Sequence, residues 1–209
     1  MTNNLKTTPL CQACQAAGGR MVDFHGWLLP VQFESIIAEH KAVREGAGMF
    51  DVSHMGQVLV EGKDAWAFLQ YVNCNNIKNT PGAGTYSHML TERGTIIDDL
   101  IAFCLTPEKF LVVVNAACRE EDVAWLQKHA PRFNVRVTDV SDQYGMIAVQ
   151  GPHAVEKLSR VLGDVNGLAR FHITPVVFEG AHGYLTRTGY TVYAHHQFPA
   201  GGSINPRIK

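Results

Sequence analysis

Two adjacent aspartates, Asp98 and Asp99, stand inside the apolar run GTIIDDLIAF, residues 94–103. Carboxylates so placed can work as general acid or base, share a proton, or hold a metal ion. The flanking pairs Ile96-Ile97 and Leu100-Ile101 predict a strand that is at least half buried. Side chains alternate across a strand, so Asp98 is expected to share a face with Ile96 and Leu100, and Asp99 with Ile97 and Ile101. Unless a bulge intervenes, only one carboxylate then enters a given pocket. That argues against a shared-proton dyad or a metal pair. The plainer alternative has both aspartates binding backbone amides at a strand bulge.

Other chemistry-bearing pairs carry less. Ser53 and His54 have the residue types of a nucleophile and its base. Adjacent residues in an extended segment point apart, however, so a hydrolase is rejected, and Asp51 and His54 are read as structural. Cys11 and Cys14 form a CxxC without a second pair or a clear βαβ context, which assigns them neither a metal nor a redox role. The five cysteines are odd in number and scattered, as free thiols in a reducing compartment are. None of the ten histidines pair at metal-ligand spacing, so no metal is expected. GxGxxG, Walker, HExxH and GxSxG signatures are absent from the sequence.

The elements that must position the aspartates read clearly. ESIIAEHKAVREG (34–46) places Ile36, Ile37, His40 and Val43 on one helical face, with Ser35 as cap and Gly46 as stop. GQVLVEG (56–62) predicts a strand and KDAWAFLQYVN (63–73) an amphipathic helix. Arg93-Gly94 punctuates a hairpin between GTYSHMLTE and the aspartate strand, and KFLVVVN (109–115) follows as another strand. REEDVAWLQKH (119–129) predicts a helix whose first-turn acids suit the helix dipole. FNVRVTDV and GMIAVQG are further strands, and Pro152 opens a short helix. The order β-α-β-β-β-α-β from 56 to 140 predicts an α+β layer structure with a mainly antiparallel sheet.

Bulk properties narrow the function classes. With 46% hydrophobic and 18% charged residues, the chain matches a soluble globular protein rather than a disordered one. Its 18 basic and 19 acidic residues give no electrostatic reason to expect nucleic acid or an anionic membrane as partner. No apolar run approaches the roughly 20 residues that span a bilayer. The start, MTNNLKTTPL, lacks signal-peptide or transit character, so a cytoplasmic protein is expected.

Three stretches, RMVDFHGWLLPVQF (20–33), AVREGAGMFDVSHMGQV (42–58) and GTIIDDLIAF followed by LVVVNAA, resemble the aminomethyltransferase (T-protein) family of the glycine cleavage system. IAVQGPHA (147–154) and TRTGYT (186–191) continue the resemblance in the family's order. The resemblance implies a tetrahydrofolate-dependent transferase. It would take a one-carbon unit from an aminomethyl-lipoyl arm on H-protein and give 5,10-methylenetetrahydrofolate and ammonia. The implied fold has two interleaved α+β subdomains, with mainly antiparallel sheets packed by helices and folate in the central opening. Residues 1–50 with 141–191 would form the first subdomain and 51–140 the second.

By the same resemblance Asp99 is the catalytic carboxylate beside folate N5. Met55, Tyr86, Asn115 and Tyr190 line the folate, and Arg187 braces the loop of Tyr190. Tyr86 reads equally as core or lid packing, and Asn115 equally as a cap for the next helix. Departures are Phe103 in place of a tyrosine, Cys118 in place of an asparagine, and everything after Thr191. There the family's Gly-Glu-Asp-Gly continuation is replaced by VYAHHQFPAGGSINPRIK, expected to be an irregular tail (192–209). The β-rich C-terminal domain is therefore expected to be absent and turnover impaired. The rival expectations are a non-catalytic folate-binding or interaction module, or an inactive fragment.

Overall fold

The structure, a computed structural model, describes residues 5–188 and the backbone of 194–199. The chain starts with β1 (Lys6–Thr7), α1 (Cys11–Ala16), β2 (Met21–Phe24), β3 (Trp27–Pro30), α2 (Ile36–Glu45) and β4 (Gly48–Asp51). It continues through β5 (Gly56–Glu61), α3 (Ala65–Val72), β6 (Gly84–Leu90), β7 (Ile96–Thr106), β8 (Lys109–Val114), α4 (Arg119–His129) and β9 (Arg136–Asp139). Then come β10 (Tyr144–Gln150), α5 (Ala154–Leu162), β11 (His172–Phe178), β12 (Ala181–Arg187) and β13 (Ala194–Pro199). Among the described residues no helix is long and apolar enough to cross a membrane.

Two compact units emerge, the second inserted in the sequence of the first. One gathers the chain up to His54, Gln143–Leu168 and the segment from Pro175 onward; the other holds Met55–Asp142 and Ala169–Thr174. In the first unit a five-stranded sheet runs β11-β12-β13-β10-β4, and a small sheet runs β1-β3-β2. Helix α5 packs its Ala154 and Leu158 on Val149 and Leu185 of the larger sheet. Ser35 caps α2 as its sequence position predicts, its Oγ accepting from the Ala38 amide at 3.1 Å. Ser35→Ala is expected to cost about 1 kcal/mol. A thermal melt should fall by roughly 2–4 °C. The apolar face expected on α2 is less buried than its spacing suggests, for Ile36 and Ile37 are 58% and 72% exposed.

Within the stretch 192–209, expected to be an irregular tail, Ala194–Pro199 forms a strand instead, and the rest lies outside the described residues. The strand pairs antiparallel with β10 on one side and β12 on the other. The ladder is made by backbone groups, so a segment lacking side-chain alternation can still complete it.

The second unit carries a wholly antiparallel sheet, β6-β7-β8-β5-β9. Its element order is the β-α-β-β-β-α-β that the sequence predicts. Helices α3 and α4 lie on one face, where Phe68, Leu69 and Leu126 pack on Val58, Leu100, Val112 and Val114. Phe68 meets Phe133 edge-on at 5.5 Å between centroids. The β6–β7 turn is closed at Gly94, whose φ of +80° favours a residue without a Cβ.

Near that turn the ladder slips. Met89 pairs with Asp98 and Leu90 with Ile96, leaving Ile97 as the extra residue of a bulge. Simple alternation therefore fails N-terminal to Asp98. Ile96, expected on the face of Asp98, is 65% exposed, while Ile97 packs against the helix-covered core. From Asp98 onward the alternation holds, with Asp98 and Leu100 buried on the helix side.

Candidate active site

Strand β7 presents Asp99 on the face opposite the helices. Asp99 pairs with His88 on β6, and Ile101, two residues on, pairs with Tyr86. Period-two geometry puts Tyr86, His88 and Asp99 on one face. The Tyr86 and His88 rings meet edge-on at 5.3 Å, with Oη and Nε2 3.5 Å apart. Leu100 pairs with Val114, the last residue of β8, so Asn115 emerges beside Asp99. Gly56 pairs with Val114 from the other side, which sets Met55 level with Asn115 in register.

Asn115 joins the two aspartates. Its Nδ2 donates to Asp98 Oδ1 at 2.9 Å, to Asp99 Oδ1 at 2.9 Å and to the Asp99 carbonyl at 3.2 Å. Its backbone amide donates to Asp98 Oδ2 at 2.9 Å. With acceptors on that side, the amide nitrogen must face the aspartates, which turns Oδ1 away from them. Asp98 thus performs the plainer role of holding a backbone amide beside a bulge. Asp99 stands differently, half-buried, with one carboxylate oxygen held by the Asn115 side chain.

Beneath the sheet, α4 contributes a group that sequence reasoning passed over. Asp122, expected among first-turn acids that favour the helix dipole, is 0% exposed, while its neighbours Glu120 and Glu121 face solvent. Burial first, and then the neighbouring Asp98, push its pKa up to about 8. The signal was present as helical spacing. Asp122 lies four and seven residues before Leu126 and His129, and all three are buried. His88 was likewise missed, although alternation with Tyr86 places it on the same face.

The remaining candidates are structural or lie elsewhere. Phe103 is buried, and its ring lies so close over Gly84 that a Cβ there would come within 2.6 Å. Asp51 accepts from Thr8 Oγ1 at 2.5 Å and from the Ser53 amide at 3.0 Å. Ser53 Oγ is bound to both the amide and the carbonyl of Met146. His54 packs edge-on against Phe24, and burial holds its pKa below the usual imidazole range. Burial, with Asp51 and Cys11 nearby, pushes the Cys14 thiol up to about 11, far from a reactive thiolate. Arg187 donates from Nη1 to the Leu168 carbonyl at 2.9 Å. Tyr190 lies outside the described residues.

A protein-family model described as the GCVT N-terminal domain matches residues 10–193. The chain is 46% identical over 189 residues to the aminomethyltransferase of Herpetosiphon aurantiacus, covering 90% of itself and 52% of that protein. It is 44% identical over 194 residues to the aminomethyltransferase of Staphylococcus haemolyticus, covering 91% of itself and 53% of that protein. Its structure resembles that of glycine cleavage system aminomethyltransferase T from Bartonella henselae, with a TM-score of 0.87 and 33% identity, over 95% of this chain and 55% of that one. An α+β chain with this site and these relatives belongs to the aminomethyltransferase family, and its matched region is the family's N-terminal domain. The chain spans about half the length of the curated relatives it matches.

Proposed function

We propose that this chain carries the folate-facing carboxylate site of a glycine cleavage aminomethyltransferase. The observation that supports it best is the Asn115 amide, whose nitrogen is held by Asp98 and Asp99 beside the sheet face that carries Asp99 and Tyr86. That set fits a flat heterocycle bearing N–H groups, for it offers acceptors in fixed positions and an aromatic edge beside them.

In this reading tetrahydrofolate supplies the amine nitrogens that take the one-carbon unit from the aminomethyl-lipoyl arm of H-protein, with release of ammonia and the reduced arm. Asp99 accepts a hydrogen bond from N5, stabilises positive charge that develops there and takes up the proton released. Asn115 orients the ring through Oδ1. Tyr86 and Met55 bound the pocket, and Tyr190 is proposed as a further ring contact. The chemistry needs no metal, and the activity is assigned to the cytoplasm.

Calorimetric titration with tetrahydrofolate and an ammonia-release assay with aminomethyl-loaded H-protein test the reading together. Binding with ammonia release supports it. Binding without release would mark a folate-binding module instead, and a cooperatively melting protein with no folate binding would overturn it.

A further inference from the structure

The group least explained by the site is Asp122, a carboxyl with no solvent exposure in the first turn of α4. Neither of its oxygens meets a donor among the described residues. A buried carboxylate without donors or a cation is costly, so the neutral acid is the form that burial favours. The group that faces it from β7 is Asp98, 6% exposed and itself an acceptor. Two carboxyl groups in contact need one proton between them.

Geometry decides which of the two holds it. Asp98 already receives the Asn115 backbone amide on Oδ2 and the Asn115 side-chain amide on Oδ1. The Cys118 thiol also lies by Asp98, and burial first, then the nearby acids, keep that thiol protonated. Donors favour the charged form of the group they point at. Asp122 receives none of them. The groups that face Asp122 are Asp98 and Asp99 from β7 and Cys118 and Glu121 from its own end of α4. Arg119, the basic side chain of the same turn, is turned to Asp139 and Asp142.

We propose that Asp122 is a positioning residue, a buried carboxylic acid whose O–H donates to Asp98 and thereby fixes Asn115 and, through it, Asp99. A carboxylate has about four lone-pair sites, and the two amides, the thiol and the acid together fill those of Asp98. Saturated in this way, Asp98 holds Asn115 in one rotamer, and Asn115 holds Asp99 Oδ1 at 2.9 Å. The role in catalysis rests on the proposed function of Asp99; the proton on Asp122 does not.

The pH dependence follows. Burial raises the Asp122 pKa from an ordinary 3.8 to about 8, so the folded chain keeps a proton that the unfolded chain releases. Its stabilisation is fully present below the unfolded value and is lost as pH rises through the folded one. Asp122→Asn retains an N–H donor for Asp98 and cannot ionise. Asp122→Leu removes the donor altogether.

Three measurements on the full chain test this. Infrared difference spectra between the protein and Asp122→Asn at pH 7 should show one protonated-carboxyl band, fading as the pH is raised through about 8. The melting temperature of the unaltered chain should decline across the window from 3.8 to about 8 relative to Asp122→Asn. With loaded H-protein, Asp122→Asn should keep its rate within about threefold at pH 7 and lose the alkaline decline near that same pH, as one removed titration implies. Asp122→Leu should lose at least about tenfold in rate, about 1.4 kcal/mol of transition-state stabilisation.

Absence of the infrared band at pH 7, or an unchanged melting profile in Asp122→Asn, would overturn the proton on Asp122. A band and a melting shift with Asp122→Leu at full rate would overturn the positioning role. The infrared and melting measurements need no folate, so they decide the protonation of Asp122 even in a chain that fails to bind folate.

Discussion

In the proposed transfer to tetrahydrofolate, Asp99→Asn should lower the rate by about 10²–10⁴-fold, the range spanned by loss of a positioned acid–base group. The substitution preserves size and keeps an oxygen where Asn115 Nδ2 donates, so the amide contact at 2.9 Å can survive. It removes the negative charge that would stabilise a cationic amine and the basic site that would take its proton. Folate affinity should therefore change far less than turnover. Separate measurement of folate dissociation and single-turnover rate tests this. Equal rates in the two proteins would remove Asp99 from the mechanism. Asp98→Asn should behave otherwise, because that side chain is buried on the helix side and holds a backbone amide.

Asn115→Asp should be the most destabilising small change near the site, costing about 3–5 kcal/mol at neutral pH, as an uncompensated charge in a partly buried setting does. The two side chains have nearly the same shape, so packing is preserved. The donor that now satisfies Asp98 Oδ1 and Asp99 Oδ1 becomes an acceptor facing both. Asp98, Asp99 and Asp122 already crowd this corner. The new carboxyl would be held protonated in the folded chain above its unfolded pKa near 3.9, an expected value for aspartate. Its penalty is absent below that value and grows as pH rises, so the variant should regain stability relative to the unaltered chain on acidification. Denaturant melts at several pH values measure it, and a deficit that does not vary with pH would contradict the electrostatic account.

Much of the second unit was legible from local pattern. Periodicity predicted helices over 63–73 and 119–129, found as Ala65–Val72 and Arg119–His129, and strands over 56–62 and 109–115, found as Gly56–Glu61 and Lys109–Val114. Each of these buries one face in a core next to it, so the apolar spacing survives in the sequence. The α2 segment was less faithful, because apolar spacing shows which side could be buried and not what is there to bury it. β13 was missed for the reverse reason, since a strand can be recruited by ladder partners with no alternation of its own.

At the site, the sequence by itself separated Asp98 from Asp99, because a strand must send neighbouring side chains to opposite faces. Its motifs also singled out Tyr86, Asn115 and Met55 and placed the chain near the aminomethyltransferases, a likeness the comparisons bear out at the level of family. Tertiary structure decided the rest. It set the bulge at Ile97, which ends the alternation just before Asp98, and it brought Asn115 between the two carboxylates from another strand. It also turned Asp122 from one of several first-turn acids suited to the helix dipole into a buried neighbour of Asp98. Alternation is a property of one strand and can be read within a few residues. A shared proton depends on which groups from separate elements meet away from water, and that is fixed only when helix packs on sheet.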